Sequence, residues 1–234
     1  IDEQQTERYS FGHGYGRGSE FVTSGSGILN GQGQLHIPVE LDPGDHRRGP
    51  VSFTVEAQVY DQNRQSVASR ATILAHRAER CVGLAVDKMV VKAGETIDVS
   101  AVVTRLDGSR FGESEVEVQL MHSQWLDEET VDSSGEMDYT YTYKEEDGPS
   151  CKIVTAQAPG HCILTILQPG SYVLRATATD LGNRPVRSAL RVYAYGDKDS
   201  NWSPDPDHRI DLVLDKKEYE PGDRASLLIQ SPFP

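Results

Sequence analysis

The sequence contains little cysteine, methionine or tryptophan and has no long apolar run. Its 234 residues include three Cys, three Met and two Trp, and aromatic residues make up 7%. No segment approaches the roughly 20 consecutive apolar residues that span a bilayer, and no signal peptide opens the chain. We therefore expect no direct membrane insertion. The first residues, Ile1 to Gln5, also lack an initiator Met, which predicts a piece of a longer protein.

Basic residues are scarce relative to acidic ones. Lys and Arg number 23 against 36 Asp and Glu, which gives a formal net charge of −13. An acidic surface repels phosphate backbones and anionic lipid, so the composition disfavours nucleic acid and membrane surfaces as partners. The length exceeds that of one average domain, which predicts two or three modules.

Helical periodicity is absent, and a period of two replaces it. No window of a dozen residues shows the 3.6-residue repeat of an amphipathic helix. Apolar residues instead alternate with polar ones in six segments, 35–41, 51–59, 97–103, 116–120, 172–178 and 190–192. Short alternating segments at regular spacing predict an all-β protein, and they favour antiparallel β-sandwiches.

The three cysteines do not have the spacing of a structural zinc site, because C-x-x-C and paired His/Cys patterns are missing. Cys151 and Cys162 flank two short apolar segments joined by residues 156–161, a layout that predicts a β-hairpin with neighbouring thiols. In an oxidising compartment we expect a disulfide between them. In a cytosolic protein they would be two reduced, half-buried cysteines. Cys81 is predicted to be a small core residue rather than a nucleophile.

The chain is also similar to itself. Residues 84–95 match 212–223 without a gap at an offset of 128, and residues 53–61 match 172–180 at an offset of 119. The first pair of matches marks the openings of modules and the second marks their closings. Openings and closings that recur at about 120 residues predict a tandem array.

These matches set the module boundaries. Residues 82–196 hold one opening and one closing and are predicted to be a complete module. Residues 1–81 hold only a closing, and 209–234 hold only an opening. The polar, Pro-containing segment 197–208 is predicted to be a linker. Within the last opening, Pro221-Gly222 predicts a type II turn between two strands.

The opening at 210–233, with its Asp-Lys-x-x-Tyr-x-Pro-Gly-Asp core, resembles the domain-opening signature of macroglobulin domains in the α2-macroglobulin family, especially its bacterial branch. Residues 55–61 are similar to the penultimate strand of such domains, and Cys81-Val-Gly-Leu84 is similar to the junction into the next one. Pro169-Gly-Ser-Tyr172 is a further match. The resemblance covers most of 25–234 and implies tandem macroglobulin-like sandwiches of Ig or fibronectin type, each with seven strands.

The resemblance also implies a function, because these proteins trap proteases. A protease cuts a bait segment, the molecule collapses around it, and a Cys–Gln thioester can tether it. The implied partners are neighbouring macroglobulin domains of the same chain and, for the full-length protein, target proteases. The implied location is the periplasm, the cell surface or the extracellular space. The resemblance also allows a lipid anchor on the full-length protein.

Departures from the family pattern imply that this chain is a scaffold rather than the reactive part. The thioester motif is absent, because the only Glu-Gln pair, Glu3-Gln4, has no cysteine before it. No bait segment can be assigned, and residues 1–33 match the family poorly. We therefore predict no enzyme activity, no catalytic residue, no cofactor and no metal, with the Cys151–Cys162 disulfide as the one site.

Four other motifs favour structural interpretations. Gly12 to Gly18 lacks G-x-G-x-x-G spacing and is predicted to be a flexible loop rather than a phosphate site. Residues 127–147 carry nine acids and one base, which predicts a solvated hairpin tip rather than a calcium site. Trp125 is predicted to be a partly buried rim residue rather than a sugar platform. Asn201-Trp-Ser203 matches an N-glycosylation sequon, a tripeptide that arises by chance.

One other class of function fits the composition and periodicity equally well. Ig-like repeats of a surface adhesin, or an accessory module of an extracellular enzyme, would have the same sandwich pattern, because architecture does not fix function. The opening signature at 210–233 is what favours a segment of a protease-trapping inhibitor.

Overall fold

The structure is a computed structural model that describes residues 8–12, 20–40, 51–76, 78–131, 137–196 and 210–230. It divides into two compact units, Ile1–Gly14 with Ala78–Pro234, and Tyr15–Arg77. The described residues form the strands β1 (Ser10–Phe11), β2 (Val51–Tyr60), β3 (Ser66–Ala75), β4 (Arg80–Val86), β5 (Val90–Lys92), β6 (Thr96–Arg105), β7 (Ser114–Val131), β8 (Met137–Thr155), β9 (Gly160–Thr165), β10 (Gly170–Thr179), β11 (Pro185–Tyr195), β12 (Asp211–Leu214) and β13 (Leu227–Gln230). The prediction of an all-β protein is confirmed.

The larger unit is built around a sandwich of two sheets. One sheet has the order β1-β4-β6-β9 and the other has the order β5-β11-β10-β7-β8. Neighbouring strands are antiparallel except that β5 runs parallel to β11. Seven of these strands have six residues or more, and two short ones, β1 and β5, lie at sheet edges.

The core of the sandwich follows from the period of two. Leu174 pairs with Leu190 on one side and with Leu120 on the other, so all three face the same side of the sheet. The opposite sheet contributes Ile97 and Val99, both 0% exposed. Burying an aliphatic side chain of this size stabilises by about 1.5–3 kcal/mol. Alternation in the sequence therefore identified the inward face of both sheets.

The first described residues form a strap, Arg8–Gly12, that adds an edge strand to the four-stranded sheet beside β4. Its strand β1 pairs with β4 in the register Ser10 to Leu84. Tyr9 is 8% exposed and forms a small apolar cluster with Ala85 and Val102. A Cβ on Gly83 would lie 2.7 Å from the Phe11 ring, so only glycine allows this close approach. No pattern in the sequence indicates the strap.

In the unit Tyr15–Arg77, the residues that the structure describes form one antiparallel hairpin, β2 paired with β3. Val51 and Phe53 are buried, as their alternation predicts, whereas Val55 and Val67 of the same hairpin are 44% and 76% exposed.

The strand predicted at 35–41 is wrong for the residues that the structure describes, since 20–40 contains no strand and residue 41 lies outside them. Leu35, Ile37 and Val39 are between 42% and 49% exposed. The reason is physical: alternation makes a segment compatible with a sheet, but a strand exists only where another strand supplies hydrogen bonds.

Strands β7 and β8 extend beyond the sandwich as a two-stranded ribbon. The pairing of β7 with β10 ends at Ser123, whereas its pairing with β8 continues to Val131 opposite Met137. Eight residues at about 3.3 Å each make a ribbon of roughly 26 Å. The parts 127–131 and 137–147 of the acidic segment thus lie in paired strands, and its predicted tip at 132–136 lies outside the described residues.

Candidate functional site

Cys151 and Cys162 are joined by a disulfide whose Cα atoms are 6.5 Å apart. The predicted hairpin between them is wrong. Cys151 lies in β8, the edge strand of the five-stranded sheet, and Cys162 lies in β9, the edge strand of the other sheet. β8 pairs with β7 and β9 pairs with β6. The disulfide therefore connects the two sheets of the sandwich rather than two neighbours in one sheet.

The packing explains this crossing. Ile153 of β8 and Leu164 of β9 both lie in the core, 1% and 4% exposed. Each of these strands supplies an inward residue at the edge of its own sheet. If β8 and β9 were neighbours in one sheet, the other sheet would lose its edge strand and the core residue on it. Both half-buried cysteines pack against the same core, so the bond closes the sandwich along one edge.

The strap closes the opposite edge without a covalent bond. Ser188 of β11 is fully buried, and its Oγ lies 2.8 Å from the Ser10 carbonyl and 3.1 Å from the Gly12 nitrogen. Ala189 donates its N–H to the Gly12 carbonyl at 2.8 Å. Since β1 pairs with β4, the strap bonds to both sheets.

Cys81 is a free, half-buried thiol in β4. It lies outside the buried core cluster, so the prediction that Cys81 is a core residue is wrong. Burial raises the pKa of the Cys81 thiol, which disfavours the reactive thiolate.

The two opening turns make the same hydrogen bonds. Oδ1 of Asp87 accepts the N–H of Asp98 at 2.8 Å, and 128 positions later Oδ1 of Asp215 accepts the N–H of Ser226 at 2.8 Å. The equivalent turn glycines, Gly94 and Gly222, have φ of 94° and 101°. In the second turn Asp223 donates to the Glu220 carbonyl at 3.0 Å, as the predicted type II turn requires.

The two closing turns also match, at the offset of 119. Oδ1 of Asp61 accepts the N–H of Asn63 and of Gln65 at 2.8 Å each. Oδ1 of Asp180 accepts the equivalent two N–H groups, from Gly182 and Arg184, at 2.9 and 2.8 Å. The repeat in the sequence is thus a repeat in hydrogen bonding, because the short side chain of an aspartate accepts the backbone N–H groups of each turn.

Asp180 additionally anchors the residue that leads into β4. Its side chain is fully buried, and Oδ2 accepts the guanidinium of Arg184 at 2.7 Å and the N–H of Glu79 at 3.4 Å. Burial alone would raise the pKa of Asp180, but these bonds outweigh it and lower the pKa. The closing turn thereby holds the residues that enter β4.

The lowered pKa of Asp180 predicts an acid-labile turn. A carboxylate whose pKa is lower when folded stabilises the protein above its unfolded pKa of about 3.9, and this contribution is lost as pH falls through the folded value. Asp180→Asn should therefore lower the midpoint of thermal unfolding at pH 7 and reduce the loss between pH 4 and pH 2.5. Unfolding curves across this range test it. A constant difference between parent and variant at every pH would contradict it.

Phe111 is stacked by two arginines that face each other across the β4–β6 ladder. Arg80 and Arg105 are Cα partners, a pairing of like charges that is destabilising by itself. The guanidinium carbon of Arg80 lies 3.4 Å from the Phe111 ring centroid, and that of Arg105 lies 5.1 Å away. Arg80 is 8% exposed and also donates to the Thr179 carbonyl at 3.2 Å. The π face of the Phe111 ring thus offsets part of the free-energy cost of burying the Arg80 cation.

Phe111→Leu should lower the free energy of unfolding by about 1–2 kcal/mol, because leucine keeps apolar volume but lacks the π face. Urea denaturation measures the loss. Phe21→Leu is the matched control: Phe21 is 77% exposed, so the same change there should stay within about 0.5 kcal/mol. Equal effects at both positions would show that the cation–π contacts contribute nothing.

A serine, a histidine and an aspartate also meet on the outer face of the four-stranded sheet. Ser100 and His161 are Cα partners, and His161 Nδ1 lies 3.2 Å from Asp98 Oδ1. The Ser100 hydroxyl, however, bonds to the Tyr9 hydroxyl at 3.0 Å, and Ser100 is 4% exposed. The strap therefore covers the serine, and the arrangement is a hydrogen-bonded patch. Sequence spacing gave no hint of it, because the three residues meet across strands.

Within the described ranges, no three or more His, Cys, Asp or Glu residues are grouped so that they could hold a metal ion. Nor does the described part of the chain contain a helix of the length and apolarity that a membrane span requires. Residues 13–18 of the glycine-rich loop, the Trp125 side chain and the sequon at 201–203 lie outside the described residues.

Comparison with known proteins gives the fold. No family model matches the chain. An alpha-2-macroglobulin homolog from Nostoc sp. strain PCC 7120 is 23% identical over 97% of this chain and 12% of that protein. The native conformation of E. coli alpha-2-macroglobulin matches with a TM-score of 0.67 at 18% identity, over 96% of this chain and 15% of that one. Salmonella alpha-2-macroglobulin reacted with methylamine matches with a TM-score of 0.61 at 17% identity, with the same coverage.

The chain thus spans about an eighth of its curated relative. The chain has the macroglobulin-like fold of bacterial alpha-2-macroglobulins.

Proposed function

We propose that the chain is a scaffold segment of a protease-trapping inhibitor of the alpha-2-macroglobulin type. The observation that carries the proposal is the repeat of capped turns at offsets of 128 and 119, within a chain that resembles such proteins over nearly its whole length. Repeated sandwiches with fixed turns are suited to holding other parts of a large molecule in place. Its partners would be neighbouring macroglobulin domains and, through the full-length protein, proteases.

The module boundaries are part of the proposal. Residues 82–196 would be a complete module, to which the structure adds the strap. Residues 1–81 and 209–234 would contribute strands to other modules, with 197–208 as a linker. In support, the hairpins of both partial modules expose large apolar side chains, for example Val67 at 76% and Leu212 at 63%. Such faces call for further strands to cover them.

The disulfide supports an oxidising location. A covalent bond between edge strands persists outside the reducing cytosol, so we place the full-length protein in the periplasm or at the cell surface.

Trapping predicts a particular pattern of protease inhibition. The full-length protein, titrated against trypsin, should block digestion of a large protein substrate while a small peptide substrate is still cleaved. The isolated 234-residue chain should leave both reactions unchanged, because bait and thioester are not recognisable in its sequence. Unchanged digestion of the large substrate by trypsin with the full-length protein would overturn the proposal. Inhibition by the isolated chain at a one-to-one ratio would show an inhibitory domain rather than a scaffold.

A further inference from the structure

Three main-chain hydrogen bonds run in line from the sandwich into the next opening. Tyr193 of β11 donates its N–H to the Met89 carbonyl at 2.8 Å, and Met89 donates its own N–H to the Asp215 carbonyl at 2.7 Å. Asp215 in turn donates to the Ser226 carbonyl at 3.0 Å. Met89 therefore connects β11 with the turn that precedes β13.

The two ends of this connection come from equivalent segments of the repeat. Met89 lies two residues after Asp87, and Asp215 is the equivalent of Asp87 in the next opening. Asp215 is held from its own side as well, because its Oδ1 accepts the Tyr219 hydroxyl at 2.7 Å and the Ser226 N–H at 2.8 Å. The Tyr219 hydrogen bond lowers the pKa of the Asp215 carboxyl, because it favours the ionised form that accepts the bond. The carbonyl that receives Met89 is thus fixed in position.

Side-chain packing is incomplete at this contact. A cleft of about 160 Å³ lies beside the Met89–Asp215 bond. It has apolar residues at Val86, Met89 and Leu190, and charged residues line the rest. Beside this cleft, the main-chain bond from Met89 to Asp215 is a direct contact between the two segments.

We propose that the surface around Met89 is a docking surface for the opening segment of the following module, residues 215–218, and that the Met89–Asp215 bond fixes the joint between the modules. The linker 197–208 then supplies chain length and does not set orientation. This inference rests on the proposed scaffold role for its purpose, since a fixed joint makes successive sandwiches one stiff body. The segment that binds this surface is defined by its chemistry: it is an Asp-Lys opening whose aspartate side chain accepts hydrogen bonds from its own turn.

Distances between two spin labels on the whole chain test the joint. The labels are placed at Leu181→Cys, in an exposed turn of the sandwich, and at Glu220→Cys, in the following opening, with Cys81→Ser to remove the free thiol. Inserting Gly-Ser-Gly-Ser after Ser203 should leave the mean distance and its width unchanged. A distribution that broadens on insertion would overturn the proposal, because the linker would then set the orientation.

A pair of substitutions at Met89 separates the main chain from the side chain. Met89→Pro removes the N–H donor and should broaden the distance distribution, whereas Met89→Ala keeps the donor and should leave it narrow. An unchanged width with Met89→Pro would overturn the proposal. If Met89→Pro does not fold, amide exchange in the linker-extended chain decides: the Met89 amide should stay protected, and exchange at the rate of an exposed loop amide would refute the joint. None of these outcomes alters the trapping assay, so the two proposals fail separately.

Discussion

Replacing both Cys151 and Cys162 by serine should lower the free energy of unfolding of the sandwich by about 3 kcal/mol. The bond closes a loop with a sequence separation of 11, and in the chain-entropy model a loop of about this size restricts the unfolded chain by roughly that amount. A loss of this size corresponds to a fall of roughly 6–12 °C in the unfolding midpoint for a protein of this length. Calorimetry of the oxidised parent and the double variant measures it.

Cys81→Ser is the control, because Cys81 forms no disulfide and lies outside the core cluster. It should change the midpoint little. Peptide mapping without reductant should recover Cys151 and Cys162 in one linked pair. Two free thiols after refolding in air, or an unfolding midpoint that a reductant leaves unchanged, would contradict the expected result.

Gly160→Ala should lower the free energy of unfolding by about 1–3 kcal/mol, the usual effect of overpacking. A Cβ at this position would collide with Ile153 Cγ2 and lie 2.5 Å from the Val154 carbonyl oxygen. Both contacts belong to β8, so the added methyl group pushes β9 away from the strand to which the disulfide ties it. Urea denaturation with intact disulfide measures the effect.

Gly112→Ala provides the comparison. No heavy atom lies within 4 Å of a Cβ at Gly112, so the same methyl group meets open space there. This variant should be as stable as the parent or slightly more stable, since alanine restricts the unfolded chain. Equal destabilisation at both positions would show that backbone conformation, rather than crowding between β8 and β9, is responsible.

The sequence was sufficient where a side chain's role depends on its neighbours along the chain. Alternation identified the inward residues of β6, β7 and β10, and the caps Asp180 and Asp215 act within a few residues of their own turns or across one hairpin. Such local chemistry repeats whenever the local sequence repeats. This is why the tandem pattern was visible without a structure.

The features that the sequence did not predict correctly depend instead on residues far away along the chain. The segment at Leu35–Val39 alternates, but no strand pairs with it among the described residues. The short chain between Cys151 and Cys162 was compatible with a hairpin, whereas the core required β8 and β9 to lie in different sheets. The meeting of Ser100 with Tyr9 spans 91 positions, and no local pattern encodes it.

The strap has a consequence for the order of folding during synthesis. Ser10 and Ser188 are separated by 178 positions, and their hydrogen bond completes one edge of the sandwich. At about 5–20 residues per second, a ribosome needs roughly 10–35 s to proceed from the first serine to the second. During that interval β11 does not yet exist, so the strap cannot form its hydrogen bonds to it. The outer face of β4 and β6 forms before this edge of the sandwich is closed. The strap is thus synthesised before β11 and completes its native contacts only once β11 is present.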